Sequence, residues 1–152
     1  MIDNPFIAVK DMLQYLTWKN LQAGRKYHVE LVQPAKCLIS EYKDGAYMLI
    51  VAQVVEDSKV HQTEMVKGDV LIINIALRTF KKAWISQPIS FRQQLTGDCN
   101  LRLKFVKESK QSMQILCAEI VQPTPEQLTK SSDVYDNPDK YLFNYKGEEG
   151  KQ

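Results

Sequence analysis

Apolar and polar residues alternate with a period of two in several short segments of this 152-residue chain. Residues 26–31 (KYHVEL) and 101–105 (LRLKF) both carry an apolar side chain at every second position. Because successive side chains of a β-strand point to opposite faces of the sheet, this pattern predicts strands that are buried on one face. The chain is therefore expected to fold mainly from β-strands.

Turn signals divide the rest of the apolar sequence into further short strands. Asp44-Gly45 favours a tight hairpin, and Pro34 interrupts the first strand because proline cannot donate to a strand ladder. We predict strands at 26–42, 46–55, 70–77, 101–105 and 113–121, with 78–85 continuing the third strand or forming the next one, and a loop at 56–63. Five to seven antiparallel strands at this spacing predict a small barrel, with a β-sandwich as the main alternative.

The N-terminal residues show a different period. Asn4 followed by Pro5 is typical of the start of a helix. Gly24 marks the end of this N-terminal segment. Apolar residues then recur at helical spacing, which predicts a helix over 5–17 with one apolar stripe formed by Phe6, Val9, Leu13 and Leu16. This stripe either packs on the barrel or binds a partner protein.

The predicted organisation is one domain of ordinary size with an appended tail. We expect an N-terminal helix in 1–23, a β-barrel in 24–122 and a polar, partly disordered tail in 123–152. The first 13 residues contain Asp3, Lys10 and Asp11 and no long apolar run, so we expect neither a signal peptide nor a membrane span. The expected location is intracellular, nuclear in a eukaryote and cytoplasmic otherwise.

The sequence contains none of the common catalytic or nucleotide-binding motifs, and we predict that the protein is not an enzyme. Its three cysteines are widely spaced and it has only two histidines, so we expect no metal and no cofactor. Cys117 lies in an apolar run and is expected to be a buried thiol. An enzyme with an unfamiliar site remains an alternative.

Positive charge is concentrated in the middle of the chain. Residues 78–110 contain eight basic and two acidic side chains, interleaved with Phe80, Trp84, Phe91 and Phe105. Proteins that bind single strands combine cations along the phosphates with aromatic rings that stack on bases. The alternative is that these lysines and arginines only solvate strand faces while the rings lie in the core.

The order of these features resembles that of oligonucleotide/oligosaccharide-binding (OB) barrels of the replication protein A and telomere-end-protein type. The likeness covers about residues 24–122 and includes the segment from Lys67 to Ile72 (KGDVLI), where Gly-Asp precedes an apolar strand. The resemblance implies a groove near Tyr42, Tyr47, Arg78, Phe80, Lys81, Lys82, Trp84, Arg102 and Lys104. Lys107, at the following turn, extends this predicted nucleic-acid-binding set. Such barrels usually carry a helix between the third and fourth strands, whereas Pro88 makes 87–96 a poor helix here.

We therefore expect a non-catalytic module that binds single-stranded nucleic acid, DNA rather than RNA, as one subunit of a replication, repair or telomere-type assembly. The alternative is a scaffold subunit whose barrel or N-terminal helix binds a partner protein. No membrane partner is expected.

Overall fold

The computed structural model describes residues 6–8 and 13–141, and side chains are described for 13–141 only. The fold is mainly β, as predicted. The strands are β1 (Phe6–Ala8), β2 (Gln14–Thr17), β3 (Lys26–Leu31), β4 (Leu38–Tyr42), β5 (Gly45–Val54), β6 (Ser58–Val60), β7 (Thr63–Met65), β8 (Val70–Ala76), β9 (Asn100–Ser109) and β10 (Ser112–Val121). The helices are α1 (Leu77–Trp84), α2 (Ile89–Arg92), α3 (Pro125–Asp136) and α4 (Pro138–Tyr141). No helix among the described residues is long and apolar enough to cross a membrane.

Eight of the strands form one sheet in the order β1-β2-β8-β5-β3-β9-β10, with β4 paired to the first half of β5. All pairings are antiparallel except that of β2 with β8. Because β5 and β2 occupy the two sides of β8, β8 has no edge left for β10. The predicted barrel is therefore not closed in the part of the chain that the structure describes, where the strands form an open sheet.

The predicted N-terminal helix is also wrong for the residues that can be judged. Phe6 and Leu16 lie in β1 and β2, which pair with each other. Residues three apart in a strand point to opposite faces, and Leu13 and Leu16 accordingly enter two different apolar clusters. Both are buried inside the protein rather than available to a partner. Val9 lies outside the described residues.

The first long strand breaks where the sequence predicted it. β3 ends at Leu31 and a short 3-10 turn, Pro34–Lys36, precedes β4. β4 then turns sharply into β5 at Lys43-Asp44. Gly45 adopts a φ of +130°, which residues other than glycine rarely adopt. The predicted hairpin at Asp44-Gly45 is confirmed.

Two further segments differ from expectation. The predicted loop at 56–63 contains β6 and part of β7, which form a small hairpin. Residues 78–85 belong mainly to a helix, α1, and not to a strand. Helices α1 and α2 thus lie between β8 and β9, the third and fourth strands of the series that was compared with OB barrels.

The C-terminal segment packs on the sheet. Thr124 and Gln127 form a capping box that starts α3, a signal present in the sequence as T-x-x-Q. Val134 and Tyr141 are buried against Leu49, Val51 and Ile72 on the face of the sheet opposite the main core. The part of the predicted polar tail up to Tyr141 is therefore helical and docked, and residues 142–152 lie outside the described residues.

Candidate nucleic-acid interface

Helix α1 presents three cations together. Arg78, Lys81 and Lys82 follow the i, i+3, i+4 spacing that places side chains on one side of a helix, and all three are exposed. Within the described part of the chain, none of them has an ion-pair partner. We call these three residues the cationic face of α1. Its charge remains available to an anionic ligand.

The same helical period turns the predicted aromatic contacts inward. Phe80 and Trp84 lie one turn apart, on the side of α1 that packs on the core, and their rings stack with centroids 6.1 Å apart. Phe80 is only 6% exposed and Trp84 is half-buried. Burial of Phe80 contradicts its prediction as a base-stacking residue, because the helix turns this ring away from the cations. The role of the half-buried Trp84 stays a prediction.

Two tyrosines remain as accessible rings. Tyr42 ends β4 and is 39% exposed, and the half-buried Tyr47 of β5 meets it edge-on at a centroid distance of 5.8 Å. The Tyr47 hydroxyl donates to Asp44 Oδ2 at 2.6 Å. This hydrogen bond, with burial and the negative charge of Asp44, raises the pKa of Tyr47 to about 12. Tyr47 therefore keeps its proton, and this hydrogen bond, further into the alkaline range than an ordinary tyrosine.

The tyrosine pair lies close to α1 along the sheet. Tyr47 is the cross-strand partner of Ala76, the last residue of β8. Arg78 follows only two residues later, in the first turn of α1. Tyr47 alternates with the core residues Met48 and Ile50 and so shares the sheet face of Leu49 and Val51, whereas α1 packs on the main core. Of the ten predicted nucleic-acid-binding residues, Arg78, Lys81 and Lys82 therefore share one helix face, and Tyr42 and Tyr47 form a separate pair near the start of that helix.

Arg102 and Lys104 lie on the outer side of β9, as the alternation predicted, but their charges are paired. The Arg102 guanidinium donates twice to Oε1 of the buried Glu30, at 3.0 and 3.1 Å, and lies 3.8 Å from Glu119. Lys104 Nζ lies 3.9 Å from Glu56. Because neighbouring carboxylates neutralise Arg102 and Lys104, these two residues contribute little net positive charge, unlike the cationic face of α1.

Lys107 has a structural role that contradicts its predicted one. Its side chain is buried, and Nζ donates to the carbonyl oxygens of Trp18, Lys19 and Leu21 at 3.0, 3.2 and 3.0 Å. Desolvation lowers the pKa of this ammonium. Lys107 therefore fixes the loop before β3 to the β9-β10 hairpin and does not face solvent.

The contact of Lys107 with the loop before β3 places further cations around the turn between β9 and β10. Most of these cations were not among the predicted nucleic-acid-binding residues. The Gly24 amide donates to the Lys107 carbonyl at 2.9 Å, and the Trp18 indole donates to the Lys110 carbonyl at 2.9 Å. The loop and turn carry four exposed basic residues without ion pairs among the described residues: Lys19, Arg25, Lys26 and Lys110. We call them the hairpin-turn cations. The Thr79 hydroxyl lies 3.5 Å from the Gln111 carbonyl and links α1 to the same turn.

No cluster of three or more His, Cys, Asp or Glu side chains that is suited to a metal ion occurs among the described residues. Cys117, which was expected to be buried, is exposed on β10 beside an irregularity in its pairing with β9. Burial raises the pKa of the Cys37 thiol to about 11, so this cysteine is a poor nucleophile at neutral pH. Comparisons with protein-family models, curated proteins and solved structures found no match.

Proposed function

We propose that this protein is a non-catalytic module that binds single-stranded nucleic acid through the cationic face of α1 and the Tyr42-Tyr47 pair. The observation that carries the proposal is the set of three exposed cations on one side of a short helix, none of them ion-paired within the described residues. Surface cations that only maintain solubility are commonly interspersed with acidic partners. A helix face with no acidic side chain is better suited to a run of phosphates.

The two parts of the site have different tasks. Arg78, Lys81 and Lys82 contact phosphates, which gives affinity without sequence preference. Tyr42 stacks on a base, an interaction that contributes about 1–3 kcal/mol in such sites. Tyr47 supports Tyr42 from the edge and is itself fixed by Asp44.

The hairpin-turn cations extend the proposed binding surface for a nucleic-acid strand beyond α1. Thr79 and Gln111 join α1 to the β9-β10 turn, so a bound strand that leaves Lys82 or Arg78 meets further positive charge there. Lys110 lies at the tip of this turn. The site is therefore an extended track rather than a pocket, which suits an unstructured single strand better than a small ligand.

The strand order supports the same proposal. OB domains are five-stranded, partly open Greek-key barrels that bind oligonucleotides with their second and third strands and with the loops between strands 1 and 2 and between strands 4 and 5. The order β8-β5-β3-β9-β10 and the position of α1 between β8 and β9 are compatible with that arrangement. In this comparison Tyr42 is the strand residue next to the first of these loops, and Lys110 lies in the second. A preference for DNA and membership of a replication, repair or telomere-type assembly are part of this proposal.

A titration with fluorescent oligonucleotides tests the proposal. We expect a labelled oligo-dT of about 20 nucleotides to bind at about 50 mM salt and to lose most of its affinity at about 200 mM. Reversal of two charges, Lys81→Glu with Lys82→Glu, is expected to weaken binding of every sequence by at least about tenfold. The matched control, Lys59→Glu with Lys67→Glu, changes net charge equally at exposed positions elsewhere and should have a much smaller effect.

Absence of binding at low salt, or an equal loss in the control, contradicts the proposal. A parallel titration with oligo-U tests the preference for DNA separately. Equal affinity for the two oligonucleotides overturns that preference and leaves the site unaffected.

A further inference from the structure

Two isoleucines next to the cationic face of α1 are unusually accessible. Ile85 and Ile89 are each 65% exposed, the highest values for a large apolar side chain among the described residues. Isolated exposed apolar residues are normal on protein surfaces. Two such residues four positions apart, beside unpaired lysines, form a combined apolar and basic patch.

The positions of both isoleucines are fixed by their surroundings. The Ile85 amide donates to the Lys81 carbonyl at 2.9 Å, which continues the hydrogen bonding of α1. The Trp84 ring contacts Phe91 of α2 at a centroid distance of 5.8 Å, and Arg92 Nε donates to the Gln87 carbonyl at 3.0 Å. Helix α2, which begins at Ile89, is therefore held against α1, and this contact fixes the backbone position of Ile89.

The lysines and Ile85 share one side of α1, and Ile89 follows four residues later at the start of α2. Ile85 lies four residues after Lys81 and three after Lys82, so it projects from the same side of α1. We define Lys81, Lys82, Ile85 and Ile89 as the isoleucine patch. Phosphates would contact its lysines but would form no apolar contacts with its isoleucines.

We propose that the isoleucine patch is a docking site for an acidic segment of a partner protein that also carries apolar side chains. Carboxylates of such a segment match the two unpaired lysines, and its apolar residues cover Ile85 and Ile89. Interfaces combine an apolar centre with complementary charges at its rim in this way. The site adds a protein ligand to the proposed nucleic-acid-binding function and does not depend on that function.

A synthetic peptide is a direct probe of this surface. A fluorescein-labelled peptide of repeated Glu-Glu-Leu-Leu is expected to bind the full chain in an anisotropy titration. Peptides with serine in place of leucine, or lysine in place of glutamate, are expected to bind at least about tenfold more weakly. The double variant Ile85→Ser with Ile89→Ser should lose affinity for the first peptide by about the same factor.

Val66→Ser is the matched control, because Val66 is an exposed apolar residue in the turn before β8. Circular dichroism of each variant establishes that it is folded. The proposal is overturned if the first peptide does not bind, if the serine peptide binds equally well, or if Val66→Ser weakens binding as much as the isoleucine variant.

The same variants distinguish the two proposals, whose sites share Lys81 and Lys82. We expect Ile85→Ser with Ile89→Ser to bind oligo-dT within about twofold of the wild type, because phosphates do not contact the isoleucines. If oligo-dT fails to bind while the peptide binds as expected, the proposed function fails and the docking site stands.

Discussion

The hydroxyl of Tyr135 accepts a hydrogen bond from the amide of Val51 at 3.0 Å, at the point where β3 separates from β5. The same hydroxyl donates to the Val32 carbonyl at 2.7 Å. The phenol thus bridges two backbone groups of neighbouring strands, while the Val32 amide still donates to the Val51 carbonyl. Burial raises the pKa of Tyr135 well above its usual value. Helix α3 is therefore tied into the sheet at the break that shapes its first long strand.

Tyr135→Phe should destabilise the protein. The change keeps the ring but leaves the Val51 amide and the Val32 carbonyl without this partner, which costs about 1–3 kcal/mol of unfolding free energy. Urea denaturation followed by circular dichroism measures the loss. Tyr47→Phe, which removes one hydrogen bond near the surface, is the control and should cost less than about 1 kcal/mol. Equal losses in the two variants would show that the bridge has no special weight.

Lys107→Met should lower stability without direct loss of a phosphate contact. Methionine has a similar length but cannot donate to the carbonyls of Trp18, Lys19 and Leu21, and we expect a loss of about 2–3 kcal/mol. The exposed Lys110→Met is the matched control and should change stability by less than about 0.5 kcal/mol. The two variants should have the opposite order of effects on oligonucleotide affinity. Lys110→Met is expected to weaken binding, and folded Lys107→Met is not. A stable Lys107→Met protein with weakened binding contradicts the structural role.

Glu30→Ala should be among the most damaging changes on the outer side of the sheet. The buried Glu30 carboxylate accepts from Asn100 Nδ2, from Gln127 Nε2 of α3 and from Arg102. Its removal takes the shared acceptor from all three donors and the closer carboxylate from Arg102, and is expected to cost about 3 kcal/mol in urea unfolding. The control Glu56→Ala removes an exposed carboxylate and should cost at most about 1 kcal/mol. Similar values for the two would mean that the network does not hold α3.

We expect the Tyr47 phenol to titrate at a higher pH than an ordinary tyrosine. Because the folded-state pKa of Tyr47 is raised from 10.0 to about 12, the phenol stabilises the fold fully below about pH 10. This contribution is lost as the pH rises from about 10 to about 12, so the difference in unfolding free energy between wild type and Tyr47→Phe should shrink over that window. Nuclear magnetic resonance of ring carbons, assigned with Tyr47→Phe, measures the pKa. In Asp44→Ala it should fall towards 10, and an unchanged value contradicts the role of Asp44.

Strands were predictable where local alternation matches the pleat. Tyr27 and Leu103 occupy every-second-residue patterns, and both are buried in the main core as that pattern predicts. The N-terminal pattern misled because helical spacing from Leu13 to Leu16 also suits a strand that is buried on both faces. That distinction depends on β8 beside it, which the local sequence does not reveal.

The largest error at the candidate site was that the helical period of residues 77–84 was not recognised. Leu77, Phe80 and Trp84 lie at i, i+3 and i+7, a helical pattern that was present in the sequence and was interpreted as a strand. The helix explains why the rings are inside and the cations outside. Burial of Lys107 was not predictable, because it depends on three carbonyl groups more than 80 residues away in the chain.

The most direct test of the central claim is the salt dependence of oligonucleotide affinity in wild type and in a variant without the cationic face of α1. For single strands, log K falls with log salt with a slope of about −0.7 for each phosphate contact. Replacement of Arg78, Lys81 and Lys82 by glutamine should therefore reduce the magnitude of the slope by about 2. A slope equal to that of the wild type would contradict the claim that these three side chains bind phosphates.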